Sequence, residues 1–174
     1  AHAVAVQGDG KILLAGSPAD GTFTLQRYQA DGTLDAGFGT GGTAAINVNS
    51  GFPDDIAIQS DGKILVVGAG RSVPGGILNG AIVRLCSNGQ LDDGVNCGAG
   101  GFGTGGKVFS SFPFTSFFRE VKIQTDGNLV VCGRVGTGPA SSDFLLARYT
   151  PSGSLDGTFG SGGILTITLG GTPP

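Results

Sequence analysis

Three arginine–aspartate pairs are the residues whose types and spacing most clearly suggest chemistry. In each pair the aspartate follows the arginine by eight positions, with a short turn sequence between them. An arginine and a carboxylate can together bind a ligand, or they can pair with each other across a hairpin and hold the turn in place. We predict the structural role, because repeat construction needs identical residues in every copy and binding sites rarely do. The pairs are Arg27 with Asp35, Arg84 with Asp92, and Arg148 with Asp156.

Two nearby patterns resemble ligand sites. Asp31, Thr33 and Asp35 place oxygen atoms at alternating positions, as calcium loops do. The equivalent positions in the other copies hold too few carboxylates, and no glutamate closes these loops, so we predict turns with side-chain caps. The glycine-rich segment 37–42 leads into a strand and lacks the Lys-Ser/Thr ending of a phosphate loop. We predict instead that a phenylalanine anchors each such turn in the core; the three are Phe38, Phe102 and Phe159.

Residues for acid–base catalysis or metal binding are scarce. His2 is the only histidine and has no partner cluster, and Glu120 is the only glutamate in the sequence. A metal site, a Ser-His-Asp arrangement and a paired-carboxylate hydrolase therefore have little support. We predict a protein that is not an enzyme and that needs no cofactor.

The three cysteines leave two interpretations open. Cys86 and Cys97 bracket an insert, whereas Cys132 lies in an apolar strand. A Cys86–Cys97 disulfide would hold the insert together and would indicate an oxidising compartment. The alternative is that both are free thiols.

Charge limits the classes of partner. The chain has 10 Lys+Arg against 13 Asp+Glu, a net charge of -3, so it offers no basic surface for nucleic acid or anionic lipid. No apolar run is long enough to span a bilayer. We therefore expect protein partners, with glycan as a further possibility, and neither nucleic acid nor membrane insertion.

These residues lie in a sequence that repeats three times. The phrase Leu-Asp-x-x-Phe-Gly-x-Gly-Gly closes the first and third copies, and the middle copy carries a version interrupted by the Cys97 insert. Each copy contains two Asp-Gly-type turns among short apolar runs, which predicts four antiparallel strands. An Asp-Gly pair is typical of type I′ hairpins. We divide the chain into repeats 1–53, 54–118 and 119–174.

Four antiparallel strands in a tandem unit of this size match a β-propeller blade better than a sandwich or a solenoid coil. We predict an all-β fold of three propeller-like blades, an incomplete ring in one chain. Because the sequence opens in mid-strand, we expect it to be a mature piece or a fragment. The ring would be completed by a longer chain or by further copies, or the blades would stack openly.

The repeat resembles the bacterial delta-60 repeats. The shared residues are Gln-x-Asp-Gly-Lys-Ile-x-Val-x-Gly and then Phe-x-Leu-x-Arg-Tyr-x-x-Asp-Gly-x-Leu-Asp-x-x-Phe-Gly-x-x-Gly. The middle copy departs from this pattern with Leu85 in place of the tyrosine and Val95 where phenylalanine is expected. The resemblance implies propeller-like arrays in large secreted or surface-attached bacterial proteins, and it implies no catalytic activity.

We therefore expect an extracellular or cell-surface structural or interaction module. Its partners would be proteins, either further copies of itself or the rest of a longer array. The alternative is a carbohydrate-binding lectin with one site in each repeat, although aromatic side chains suited to stacking on sugars are few.

Overall fold

The computed structural model describes residues 1–98, 100–112, 114–136 and 142–168, and in them it forms β-strands and no helix. Each group of four consecutive strands makes one antiparallel sheet in chain order, as predicted, and the three sheets do not close into a ring. The strands are β1 (Ala3–Val6), β2 (Ile12–Gly16), β3 (Phe23–Tyr28), β4 (Thr43–Ile46), β5 (Phe52–Ile58), β6 (Ile64–Gly70), β7 (Asn79–Leu85), β8 (Lys107–Phe109), β9 (Ser116–Ile123), β10 (Leu129–Gly136), β11 (Ser142–Tyr149) and β12 (Ile164–Ile167).

The sheets begin slightly earlier than the predicted repeats. Position 54 lies inside β5 and position 119 inside β9, since these strands start at Phe52 and Ser116. Residues 169–174, the end of the third predicted repeat, lie outside the described residues.

The Asp-Gly hairpins form, but the turn type differs from the predicted one. In the first hairpin the Gly10 amide donates to the Gln7 carbonyl at 2.9 Å, and only Gly10 of the turn has a positive φ, 83°. A type I′ turn needs positive φ at two positions, so this is a type I turn followed by a left-handed glycine. Asp9 contributes its side chain, because Oδ1 accepts a hydrogen bond from the Lys11 amide at 3.2 Å.

Successive sheets pack face to face, so the middle sheet is buried on both sides. Along β6, Ile64 and Val66 join the core shared with the first sheet, while Leu65 and Val67 join the core shared with the third. Side chains alternate across a strand, so one apolar run supplies two cores. This explains why β6 reads as a continuous apolar segment and is fully buried.

Both outer surfaces of the stack expose apolar side chains, although the back face of the first sheet also carries Thr24 and Gln26 of β3. We call the face of a sheet that is turned towards higher-numbered sheets its front face, and the opposite one its back face. On the front face of the third sheet Phe144, Leu165 and Ile167 are 52%, 43% and 49% exposed. On the back face of the first sheet Val4 and Val6 are 65% and 66% exposed.

The first strands of the three sheets lie side by side, with β5 between β1 and β9. An ion pair of 2.6 Å between Arg119 Nη1 and Asp54 Oδ1 joins β9 to β5. Burial nevertheless raises the pKa of the Asp54 carboxyl, partly offset by Arg119.

Tyr149 anchors the core between the second and third sheets. Its side chain is 2% exposed, its ring meets Phe118 edge-on at 6.1 Å between centroids, and its hydroxyl is hydrogen-bonded to Ser110 Oγ. Burial raises the pKa of Tyr149 to about 12.

This raised pKa predicts a loss of stability in alkali. An unfolded tyrosine ionises near pH 10, so between about pH 10 and 12 only the unfolded state releases the proton. The free energy of unfolding should therefore be unaffected below pH 10 and fall by about 2 to 3 kcal/mol across this range. Urea titrations at several pH values should show a smaller fall for Tyr149→Phe. Tyr28→Phe, which loses only a hydrogen bond to Gln26, should behave like the wild type.

Candidate functional site

The three predicted arginine–aspartate pairs are present in the structure. The Nε to Oδ2 distances are 2.7 Å for Arg27 and Asp35, 2.6 Å for Arg84 and Asp92, and 2.8 Å for Arg148 and Asp156. The geometry follows from the hairpin: each arginine lies near the end of a sheet's third strand, and the aspartate amide donates back to the arginine carbonyl. The two side chains therefore meet on one side of the turn.

A lysine that the sequence analysis did not assign joins the first two pairs. Lys11 Nζ lies 3.0 Å from Asp35 Oδ2, and Lys63 Nζ lies 3.4 Å from Asp92 Oδ2. The hydrogen bond from Lys11, together with Arg27, holds the pKa of Asp35 below its usual value. The third copy has Asn128 at this position, and there a hydrogen bond from Thr158, followed by Arg148, lowers the pKa of Asp156. The sequence feature that could have indicated these lysines is the Asp-Gly-Lys turn, which occurs in the first two copies and not in the third.

Each guanidinium also lies over the phenylalanine of the glycine-rich phrase. The distances from Cζ to the ring centroid are 4.6 Å for Arg27 on Phe38, 4.7 Å for Arg84 on Phe102, and 4.9 Å for Arg148 on Phe159. Such cation–π contacts fix the ring and the charge relative to each other. We use the name clasp for the arginine, the aspartate, the phenylalanine and the glycine after it. The clasps are Arg27, Asp35, Phe38 and Gly39; Arg84, Asp92, Phe102 and Gly103; and Arg148, Asp156, Phe159 and Gly160.

The first clasp holds a turn of the second repeat. Arg27 Nη1 donates to the Ser87 carbonyl at 2.5 Å, and the Gly39 amide donates to the Asn88 carbonyl at 2.7 Å. The turn can approach so closely because it ends in Gly89, where a Cβ would lie 2.9 Å from the Phe38 ring. The pair is thus a joint between repeats as well as a tie within one.

The second clasp holds the turn of the third repeat in the same way. Arg84 Nη1 donates to the Pro151 carbonyl at 2.5 Å, and the Gly103 amide donates to the Ser152 carbonyl at 2.9 Å. A Cβ on Gly153 would lie 2.9 Å from the Phe102 ring. The same contact therefore recurs at both junctions of the described chain.

The third clasp holds no turn among the described residues. Arg148 Nη2 donates to Thr158 Oγ1 within the same repeat, and no described carbonyl accepts from the Gly160 amide. The side chain of Arg148 is 22% exposed, against 9% and 5% for the arginines of the first and second clasps.

The prediction that all three turn phenylalanines are buried is wrong for one of them. Phe38 and Phe102 are fully buried, but Phe159 is only partly buried. The sequence that follows the phenylalanine is nearly the same in each copy, Gly-Thr-Gly-Gly in the first two and Gly-Ser-Gly-Gly in the third. The difference arises because the turn of a following repeat covers the first two rings and no described residue covers the third in this way.

Asp31 caps its own turn. Its Oδ1 accepts from the Thr33 amide at 2.9 Å and from the Thr33 hydroxyl at 2.7 Å, and these bonds lower the pKa of Asp31. In the middle copy Asn88 Oδ1 accepts from the Gln90 amide in the same manner. The arrangement is the side-chain cap predicted from the sequence, and no group of three metal-ligating residues occurs in the described ranges.

The insert of the middle repeat is closed by a disulfide. Cys86 and Cys97 are bonded in the structure, with their Cα atoms 5.5 Å apart, which is the first of the two interpretations that the sequence left open. Cys132 is a free, half-buried cysteine on β10, and burial raises the pKa of its thiol.

Two polar cavities adjoin each other near the junction of the first two repeats. They have volumes of about 490 and 590 Å³ and share Asn47 and Asn49, with Arg71 at one and Lys107 at the other. Their linings come from different positions in the different repeats, and both cavities use the loop after β6. They are therefore not three equivalent sites, and one sugar site in each repeat stays a prediction.

Together the sheets and clasps define a repeat protein of the propeller type. A family model described as a domain of unknown function (DUF5122) beta-propeller matches residues 7–38, 59–94 and 124–159, once in each repeat. Because these matches cover more than half of the sequence, the chain belongs to this family. No curated protein matches the chain. The described residues include no helix that is long and apolar enough to cross a membrane.

Burial of the clasps predicts graded effects of removing their aspartates. The side chain of Asp92 is 1% exposed and faces two cations, so Asp92→Ala should lower the free energy of unfolding by about 3 to 5 kcal/mol. Asp35→Ala should cost less, and Asp156→Ala, where solvent reaches the pair and no lysine is present, should cost least. Urea unfolding of the three variants measures this order. Equal costs would contradict an effect of the covering turn.

Proposed function

We propose that this chain is a non-enzymatic structural and interaction module that works outside the cell or at its surface. Its partners are proteins, either further copies of itself or other repeats of a longer array. The observation that carries the proposal is the apolar front face of the third sheet, together with the clasp beside it.

This front face has the composition of a core. On β11 and β12, Phe144 pairs with Ile167 and Leu146 pairs with Leu165 across the strands, so these four side chains lie on one side of the sheet. The equivalents of Leu146 in the first and second sheets are Leu25 and Ile82, and both are fully buried against the next sheet. Exposed apolar patches of this kind are typical of sites that contact another protein.

The third clasp supports the same role from polar chemistry. In the first two clasps the guanidinium and the glycine amide donate to the turn of the next repeat. In the third clasp, Arg148 and the Gly160 amide have no such turn among the described residues. Donors that become buried in an interface need acceptors, and the carbonyls of a covering turn would supply them to both groups. A surface that combines an apolar face with directed donors recognises one orientation of a partner.

The location is supported by the disulfide and by the family resemblance. Disulfides such as Cys86–Cys97 form and persist in oxidising compartments and are rare in the cytosol. The delta-60 likeness of the repeats, a finer assignment than the family match, implies secreted or surface-attached arrays.

The association role predicts a loss of assembly when the front face is charged. Phe144→Glu and Leu165→Glu should reduce the native particle to a monomer, because a carboxylate on this face cannot be buried against a partner without a large cost. Light scattering over a concentration series measures the mass. Val95→Glu is the control, since Val95 is 83% exposed on the insert, away from the face. A wild-type chain that stays monomeric throughout would contradict self-association.

The location predicts the thiol count of protein isolated from its native host without reductant. After denaturation one thiol per chain, that of Cys132, should react with a thiol reagent, and three should react after reduction. Cys132→Ser should remove the signal from the unreduced sample. Three reactive thiols before reduction would argue for a reducing compartment.

A further inference from the structure

We propose that the occupant of the third sheet's front face is the first sheet of a second copy of this chain, with two copies joined head to tail into one six-bladed ring. This inference rests on the proposed function and names its partner. Each chain would then use its own third clasp and its own first turn, so the two junctions are identical.

The surfaces at the two ends of the stack are equivalent to surfaces that already meet inside it, and most of their positions are apolar, with Thr24 and Gln26 on the back face of the first sheet as the polar exceptions. At the junction of the second and third sheets, the front-face residues Leu65, Val67 and Ile82 pack in one core with the back-face residues Val121 and Leu129. In the repeat, Leu65, Val67 and Ile82 are equivalent to Val130, Cys132 and Leu146, which lie on the front face of the third sheet. Val121 and Leu129 are equivalent to Val4 and Ile12, which lie on the back face of the first sheet.

The side-chain sizes at these ends are complementary. A Cβ on Gly80 would lie 2.8 Å from the Phe118 ring, so at that junction a small front-face residue meets a large back-face one. In the third sheet the position of Gly80 is taken by Phe144, and in the first sheet the position of Phe118 is taken by Ala1. The large and small partners are exchanged, which keeps the total volume similar across the new junction.

The first repeat carries the turn that fits the third clasp. Residues 30–32 correspond to the held turns 87–89 and 151–153, and like them they end in a glycine with positive φ, 85° at Gly32. A Cβ added to Gly32 would meet nothing within 4 Å, whereas at Gly89 and Gly153 it would meet a phenylalanine ring. The turn 30–32 is held by no described clasp, and the third clasp holds no described turn, so the two are complementary. When they meet, the Ala30 carbonyl would accept from Arg148 Nη1 and the Asp31 carbonyl from the Gly160 amide.

Two copies are the smallest number that leaves neither end open. Head-to-tail contacts form a closed particle when the rotation returns to the start, and otherwise a filament. Propellers close with four to eight blades, and two chains of three supply six.

The test uses a variant of the turn that leaves the folded chain intact. Gly32→Asn should raise the dimer dissociation constant at least about tenfold, because the side chain would enter the space of the Phe159 ring. Asparagine tolerates positive φ, so the thermal midpoint of the monomer should change little. Gly41→Asn is the matched control, since Gly41 has φ 58° and open space around it, and its equivalents Gly105 and Gly162 lie away from both junctions.

A mixing experiment tests the direction of the contact. Gly32→Asn keeps the clasp and loses the turn, whereas Phe144→Glu keeps the turn and loses the front face. If each substitution abolishes the junction it touches, each variant alone should be monomeric, and an equimolar mixture should form a one-to-one heterodimer through its single intact junction. Native mass spectrometry distinguishes the two chains by mass.

The outcomes separate this inference from the proposed function. A wild-type chain that remains monomeric overturns both the ring and self-association. A wild-type dimer that Gly32→Asn leaves unchanged overturns the head-to-tail contact but keeps self-association, and so does a mixture that stays monomeric. An open-ended wild-type assembly overturns the closed ring.

Discussion

A buried guanidinium needs oxygen atoms on every side, and the repeat supplies them from two places. Asp92 and the Pro151 carbonyl both accept from Arg84, the first from within the repeat and the second from the next one. A charge taken out of water is costly unless it is paired and hydrogen-bonded. The hydrogen bonding of the Arg84 guanidinium is therefore complete only when the next repeat is docked, and the packing of successive sheets depends on this requirement.

The hydrophobic cores are likewise shared between neighbouring repeats. The middle sheet has no solvent-facing side along β6 and β7, so half of its apolar side chains belong to each neighbour. A single repeat could not bury this surface by itself. The joint at the turn sets the register between sheets, while the faces supply most of the buried area.

The sequence predicted what is local and failed where burial depends on distant residues. The Arg84–Asp92 pair spans a short hairpin, and its spacing alone placed the two charges together. The contact from Arg27 to the Ser87 carbonyl joins residues 60 positions apart, and the sequence near Arg27 does not predict it. Phe159 shows the difference directly, because the sequence that follows it is nearly the same as that after Phe38 and yet it is less buried. The disulfide was only partly predictable, since the spacing of Cys86 and Cys97 in the sequence allowed a bond without requiring one.

Because each clasp is completed by the turn of the next repeat, the repeats should unfold in a particular order. In a one-dimensional chain of coupled units, a unit at an end has one neighbour and a unit in the middle has two. Among the described residues, the third repeat has neither a covering turn nor a sheet on its front face, whereas the second has both. Amide exchange protection should therefore be highest in β6 and β7 and lowest in the third sheet, and unfolding should proceed from the carboxyl-terminal repeat backwards.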